Sequence, residues 1–392
     1  MNVPCYEGTW SFRSCCECIR SYSLLALLLT ILFAHSPVSS AEEEKLRITF
    51  INPSEKGSTY WDAYTDYMRV AADALNVELT VVYAKDNRLQ SAHLAESILK
   101  QEVVPHYLIY IYQRGATQRI LQMAEAKKVH SLIVNTNIPE SEVDSVGRPR
   151  EKFKYWAGHI HPHNVHAGKQ LAEQLTLMAH SQKHISQGKP IHLLALSGSR
   201  DSSAGLDYNL GLKQAVENDK QLVLQQLVFA DWSLTKASYQ INGLLDRYPQ
   251  TQVVWSIGEE IALGIVNELQ KRQLQPGKDV LVGGTVSTPK GVEMVSAGYL
   301  VANMGGDTWE GALAMVTLYD MYHGHDINAT DHTLRYTTQF VTQNNVKPYI
   351  ALINEQKWKK INYKKMTFTH MKKRIPFNVH TLLKAAETGA EE

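Results

Sequence analysis

What constrains this chain most is the unit written between Leu46 and Val82, LRITFINPSEKGSTYWDAYTDYMRVAADALNVELTVV. Its apolar opening, Ile48 to Ile51, predicts a buried strand. A polar loop follows from Asn52 to Thr59, with Pro53 and Gly57 as breakers. Trp61, Tyr64, Met68, Ala71, Ala72 and Leu75 then recur at helical spacing and put one apolar stripe on one face. Val77 to Val82 closes the unit as a second strand. A strand, loop, helix and strand in this order make a parallel α/β unit, which binds ligands at the loops that follow its strands. Tyr60 and Trp61 sit where the loop becomes the helix. An aromatic there is either a staple on the sheet or a platform for a ligand.

The rhythm repeats. Strands are expected at Tyr107 to Tyr112, Ser131 to Asn135 and Tyr155 to His161, with helices at Gln90 to Lys100 and Thr117 to Lys128. A charged loop, Glu140 to Lys154, precedes the last of these strands. The alternation restarts with a helix from Asn164 to His180 and a linker from Ser181 to Lys189. Strands at Ile191 to Leu196, Leu222 to Phe229, Val253 to Ile257, Val280 to Gly284 and Leu300 to Met304 alternate with helices. Those helices run Ala204 to Asn218, Leu234 to Tyr248, Glu260 to Arg272 and Pro289 to Ala297. A helix from Trp309 to Tyr322 and a strand from Thr337 to Val341 follow. Two runs of alternation predict an α/β fold of two doubly wound, Rossmann-like lobes, each with its loops on one edge. A chain of 392 residues is also longer than one core usually supports.

The formal net charge of +1 gives no electrostatic footprint for nucleic acid, and none is expected as a partner. Leu24 to Ala34 is an apolar run of secretory length, too short for a membrane span of about 20 residues. Pro37 to Ala41 supplies small residues for cleavage, so residues 1–40 are expected to be a removed signal peptide and the mature chain periplasmic. All four cysteines, Cys5, Cys15, Cys16 and Cys18, precede the cut. The mature protein is expected to stand on its core alone, as a monomer without disulfides. Lysines crowd the C-terminal stretch, among them Lys357, Lys359, Lys360, Lys364, Lys365 and Lys372, and a run of this kind reads as a solvated surface.

The order of motifs resembles the type I periplasmic binding proteins of the ribose- and galactose-binding class. Tyr60-Trp61 and the helix to Leu75 resemble that family's aromatic pair and first helix. Gly158 to Gly168, GHIHPHNVHAG, resembles its first crossing between lobes. Gly198 to Val216 resembles its small-residue loop and helix, and Glu259 to Gly264 its Asn-Asp-x-x-Ala-Leu-Gly segment. Gly283-Gly284 and Thr288-Pro289 resemble the next strand and loop, and the overall look is nearest to the autoinducer-receptor branch. The resemblance implies three hinge crossings, near Asn164, near Gly306 and between Asn328 and Thr337. Residues 41–163 and 307–330 would then form an N-terminal lobe, 164–306 and 337–360 a C-terminal lobe, and 361–392 a tail. It also implies a ligand cleft between the lobes. The family's charged hydroxyl clamps are replaced here: Asn135-Thr136 stands for an Asp-Arg pair and Tyr208 for an Arg.

Several residues are candidates for the cleft. Trp61 and Tyr60 offer ring faces for stacking, and the resemblance favours ligand contact for Trp61. Asn52, Asn135, Asn137 and Thr285 lie at strand ends with polar groups suited to hydroxyls, or to turns and caps. Arg200, in the loop Ser199 to Ser203, is a candidate anion clamp at a helix start, with an N-cap and an exposed Arg as the plainer reading. Asp207 and Tyr208 occupy a first helical turn, Glu259 a strand end and Asp307 the second crossing. Asp307 serves equally as an N-cap. His159, His161, His163 and His166 look like a metal box, but a strand-to-helix bend rarely converges four ligands. A ligand contact at His161 is the reading preferred, and neither metal nor cofactor is expected. No nucleophile elbow, His-Glu-x-x-His or phosphate loop occurs, so no catalytic residue is expected. The function expected is capture of a small polar, sugar-like ligand for an ABC-transporter permease of the inner membrane. The alternative is a ligand-sensing receptor working with a membrane histidine kinase, and a periplasmic enzyme is the third reading.

Overall fold

The structure, a computed structural model, describes residues 1, 4, 8, 44–182, 189–327 and 330–388. The expected leader run, its cleavage region and all four cysteines lie outside the described residues. The chain from Lys45 onward builds two six-stranded sheets.

The first sheet begins with β1 (Arg47–Asn52), α1 (Thr59–Ala74), β2 (Glu78–Tyr83), α2 (Arg88–Leu99), β3 (Tyr107–Ile111), α3 (Ala116–Lys127), β4 (His130–Val134), α4 (Glu140–Val146) and β5 (Trp156–Pro162). The second takes α5 (Asn164–Ser181), β6 (Ile191–Ser197), α6 (Ser203–Asn218), β7 (Leu222–Phe229), α7 (Leu234–Arg247), β8 (Val253–Ser256), α8 (Glu259–Lys271), β9 (Leu281–Val286), α9 (Pro289–Ser296) and β10 (Ala302–Gly305). The chain then gives α10 (Glu310–Tyr322), β11 (Thr333–Tyr336) and β12 (Gln339–Val341). Strand order is β11-β5-β4-β3-β1-β2 in one sheet and β12-β10-β9-β8-β6-β7 in the other. Every pairing is parallel except β10 with β12. The central strands are mostly apolar, as strands covered on both faces tend to be. In β3 and β4, Leu108, Ile109, Leu132, Ile133 and Val134 are fully buried.

The expected two-lobed α/β fold with three crossings is the one observed. The chain passes from the first sheet to the second after β5, returns after β10 when α10 packs on α1, and leaves again between β11 and β12. Two glycines set the geometry at the first crossing. A Cβ on Gly168 would lie 2.2 Å from the carbonyl oxygen of Tyr208, and one on Gly211 would lie 2.0 Å from that of Val165. Their bare backbones let α5 and α6 touch, and this seats Tyr208 beside the crossing.

Three local expectations are corrected. The loop Glu140 to Lys154 contains α4, whose Glu140 and Glu142 favour a helix N-terminus. The strand expected at Thr337 to Val341 shortens to β12, and an unexpected strand, β11, precedes it in the other sheet, because the crossing itself falls at residues 337–338. The lysine-rich C-terminal stretch keeps Lys359, Lys360, Lys364 and Lys372 exposed, as a solvated run does, but it is folded. Ile361, Tyr363, Met366, Val379 and Leu382 are buried between its lysines, and it ends in α11 (Val379–Thr388). Residues 350–354 pack on α9 of the second lobe, and Asn354 Nδ2 donates to the Pro289 carbonyl at 3.2 Å. Residues 357–371 then lie on the first lobe, where Trp358 meets Tyr67 of α1 at 5.0 Å between ring centroids. The C-terminal segment is thus a strap touching both lobes.

Asp320 of α10 fastens it. Its carboxylate accepts from the backbone N–H of Phe368 and Thr369, both at 2.8 Å, and from the Thr369 hydroxyl at 2.7 Å. Asp320→Ala leaves these donors unmatched, at about 1–3 kcal/mol for each one kept from water. Tryptic cleavage at Lys364, Lys365 and Lys372 is expected to accelerate at least tenfold. A digest followed by intact mass spectrometry reads this directly, and an unchanged cleavage rate would show that the strap is held elsewhere.

Candidate functional site

The carboxyl ends of the parallel strands of the two sheets face each other. Thr59, at the start of α1, donates to Glu260 of α8 across the gap at 2.7 Å. Asn137, after β4, meets Asp207 of α6, whose carboxyl burial pushes up and the Asn137 amide pulls back. The facing edges therefore touch at the rim and enclose the groups between.

At the centre stands a polar cluster that joins both lobes. Asn135 takes a left-handed conformation (φ 68°), which turns its side chain back towards α1. Its Nδ2 donates to Tyr60 Oη at 2.7 Å and its backbone N–H to Glu310 Oε1 at 2.8 Å. Tyr336, at the end of β11, donates to Glu310 Oε2 at 3.3 Å. Asp307, in the second crossing, accepts from the Ser287 hydroxyl of the second lobe at 3.1 Å. Trp61 lies half-buried beside it, its ring 5.1 Å from Tyr60, 5.2 Å from Tyr64 and 6.3 Å from Phe50. Tyr208 reaches in from α6, buried, with its ring 6.4 Å from Trp255.

The cluster is acidic. Burial pushes the Glu310 carboxyl up to about 8, and the charge of Asp307 adds to the shift. Burial likewise pushes Asp307 up to about 6, with Glu259 adding to it. Behind β5 the electrostatics run the other way. The rings of His159 and His161 lie tilted with centroids 4.7 Å apart and are buried, and burial pulls them down to about 3 and about 4. His159 Nε2 contacts the Thr136 carbonyl at 2.9 Å.

These shifts predict a stability profile with two opposed limbs. Glu310 holds its proton more tightly folded than unfolded. Its contribution is full below its ordinary value of 4.5 and is lost as pH rises through about 8. The histidines are held neutral, so their contribution is full above 6.5 and is lost as pH falls towards their folded values. Glu310→Gln is expected to flatten the alkaline limb of Tm against pH, and His159→Gln the acid limb. Thermal unfolding from pH 4 to 9 checks both, and parallel profiles in parent and variants would refute the assignment.

The other sequence candidates divide in three. Asn137, His161 and Asp207 line a cavity of about 280 Å³ beside the first crossing, with Arg148, His163 and Arg335. Asn52, Thr285 and Glu259 are turned into the scaffold. Asn52 is fully buried and bridges Thr65 and the Ser54 N–H, both at 3.0 Å. Thr285 Oγ1 accepts from the Gly258 N–H at 3.1 Å. Glu259 accepts from the N–H groups of Ser287, Thr288 and Gly291 at 2.8, 3.0 and 3.1 Å, and from the Thr288 hydroxyl. Its oxygens hold the β9–α9 loop and are spent there. Arg200 is the third case. Its guanidinium stacks 4.4 Å over the Phe229 ring, because pairing of β6 with β7 sets the two strand ends side by side. The expected anion clamp is replaced by a cation–π contact at an exposed site, and Ser202 caps α6 by accepting from the Gly205 N–H at 3.3 Å.

Sequence reading missed Glu310, Tyr64, Tyr336 and Trp232. Asp307 and Glu310 are three apart at a helix start, a spacing that sets side chains on one face, and this was the available signal. Trp232 has φ 57° directly after Asp231 at 49°, and its ring lies over Gly198 and Gly258 at two strand ends. No group of three His, Cys, Asp or Glu among the described residues is placed to hold a metal ion. No helix among them is long and apolar enough to cross a membrane.

The periplasmic binding protein domain model matches residues 48–326, and the chain belongs to that family. Among characterised relatives, the ribose import binding protein of Salmonella typhimurium is 25% identical over 282 residues, which are 71% of this chain and 86% of that one. A periplasmic sugar-binding protein from Pseudomonas fluorescens superposes with a TM-score of 0.77 at 25% identity, covering 86% of this chain and 99% of the other. A solute-binding protein of an ABC transporter from Actinobacillus succinogenes, solved with D-allose, has the same fold with a TM-score of 0.67 at 17% identity, over 78% and 100%.

Proposed function

We propose that this protein is a periplasmic solute-binding protein that captures a small polyhydroxylated, sugar-like ligand between its lobes and presents it to an inner-membrane ABC-transporter permease. The observation that carries the reading is the cluster of Tyr60, Asn135, Asp307, Glu310 and Tyr336, set where the facing strand ends meet beside Trp61. Phenol, amide and carboxylate groups supply both donors and acceptors, as vicinal hydroxyls require. An aromatic wall excludes water from those hydrogen bonds. The relatives that import ribose or bind allose support the class of ligand. Lobe closure on the ligand is the working step, because only the closed state reaches it from both sides. The groups in direct reach are Trp61, Tyr60, Asn135, Tyr208 and Asp307, with Asn137, Asp207 and His161 at the side of the cleft. Asn52, Glu259 and Thr285 act by holding the loops.

Calorimetric titration of pentoses, hexoses and cyclitols into the purified chain tests this, beside mass spectrometry of any ligand that copurifies. Saturable binding of one unchanged polyol per chain is expected. Conversion of the bound sugar into a product would favour an enzyme instead.

A further inference from the structure

The cleft cluster is short of positive charge. Asp307 faces Tyr60 of α1, Tyr208 of α6, Ser287 after β9, Glu259 of α8, Glu310 of α10 and Tyr336 of β11. No Lys, Arg or His forms an ion pair with Asp307, Glu310, Glu259 or Asp207 among the described residues. Glu259 is compensated by its N–H donors at the start of α9. Glu310, raised to about 8, holds its proton at neutral pH. Asp307, at about 6, is ionised and stands partly buried among aromatic rings, with the Ser287 hydroxyl and the backbone N–H groups of Asp307 and Thr308 as its donors. Those donors are neutral, so a charge drawn partly out of water stands without a counter-ion, and a cation closes that deficit. Two hydroxyls beside the acids are also unmatched. Tyr64 is fully buried within the field of Glu310 and its Oη has no partner, and Thr308, next to Asp307, is 1% exposed with its Oγ1 unpaired.

We propose that the ligand is a polyol carrying one protonated amine, an amino sugar or amino cyclitol, with the Asp307 carboxylate as its counter-charge inside the tyrosine wall. This rests on the reading of the cleft as a polyol site and narrows it. The carboxylate supplies the charge-assisted hydrogen bond, and the ring faces of Tyr60 and Tyr208 favour a cation over a neutral group.

The test titrates matched pairs into the full chain at pH 7: D-glucosamine with D-glucose, D-galactosamine with D-galactose, and an inosamine with myo-inositol. N-Acetyl-D-glucosamine serves as the uncharged control of similar bulk. The amine of at least one pair is expected to bind tenfold or more tighter than its neutral partner and than its N-acetyl form. Asp307→Asn is expected to erase that preference and Asp307→Glu to retain part of it, with Tm reporting that both variants fold. Neutral members binding as tightly as amines in every pair overturn the inference and leave the polyol reading intact. A preference that survives in a folded Asp307→Asn variant overturns the role of Asp307. Binding by no member of any pair overturns both readings together.

Discussion

Glu259→Ala is expected to destabilise the protein by about 3–6 kcal/mol, the largest stability effect of any single change outside the core. The carboxylate is 7% exposed and is the common acceptor of three backbone N–H groups and one hydroxyl. Alanine leaves the Ser287, Thr288 and Gly291 N–H groups facing a cavity, and each buried donor without an acceptor costs about 1–3 kcal/mol. Glutamine recovers only part of this, because both carboxylate oxygens face N–H donors and an amide nitrogen can accept from neither. The order expected from urea unfolding is parent, then Glu259→Gln, then Glu259→Ala. A loss below about 1 kcal/mol for alanine would mean that the loop keeps its shape without the clamp. Ligand affinity should fall as well, since Ser287, which positions Asp307, belongs to the same loop.

Trp61→Ala is expected to weaken ligand binding on the order of a hundredfold, equivalent to a few kcal/mol. The indole is half-buried: it packs on Phe50, Tyr60 and Tyr64 and keeps part of its surface exposed, the part that the proposed ligand would cover. That division predicts two separable effects. The packed side contributes to stability, so alanine lowers Tm by several degrees. The open side contributes to binding, so Trp61→Phe, which keeps the packing, still loses affinity several-fold because a smaller ring covers less of the ligand. Titration and thermal unfolding of both variants distinguish the roles. Parent-like binding by Trp61→Ala would reduce Trp61 to a staple.

The fold was legible because its signals are local. An apolar run, a breaker and a helical stripe can each be read within ten or twenty residues, and the alternation of strands and helices repeats them. The site was legible only as far as strand ends could be located. Asn135 and Asp307 follow such ends closely, Tyr60, Trp61 and Tyr208 stand in the opening turns of the helices after them, and these residues come together. Position alone does not say which way a side chain turns. Glu259 and Asn52 stand at strand ends too, but their acceptors are aimed back into loops whose N–H groups need them. Arg200 found an aromatic face on a neighbouring strand, a contact that depends on strand order. Glu310 lies three residues after Asp307 and could have been read from that spacing, whereas Tyr336 sits on a strand of four residues, too short to register as one. The strap was hidden by its lysines, which mask apolar residues spaced without helical or strand period.

That strap changes what hinge motion can be. Three neighbouring crossings alone act like a bundle of cords, about which two bodies can bend and also twist. If the lobes close on a ligand as proposed, a fourth attachment resists the twist. It leaves the second lobe at residues 350–354 and grips the first at two points, α1 through Trp358 and α10 through Asp320. What remains is closer to a door on a fixed axis. A door has few open positions, so little conformational entropy is surrendered when it shuts. The balance between open and shut is then set mainly by what the cleft holds.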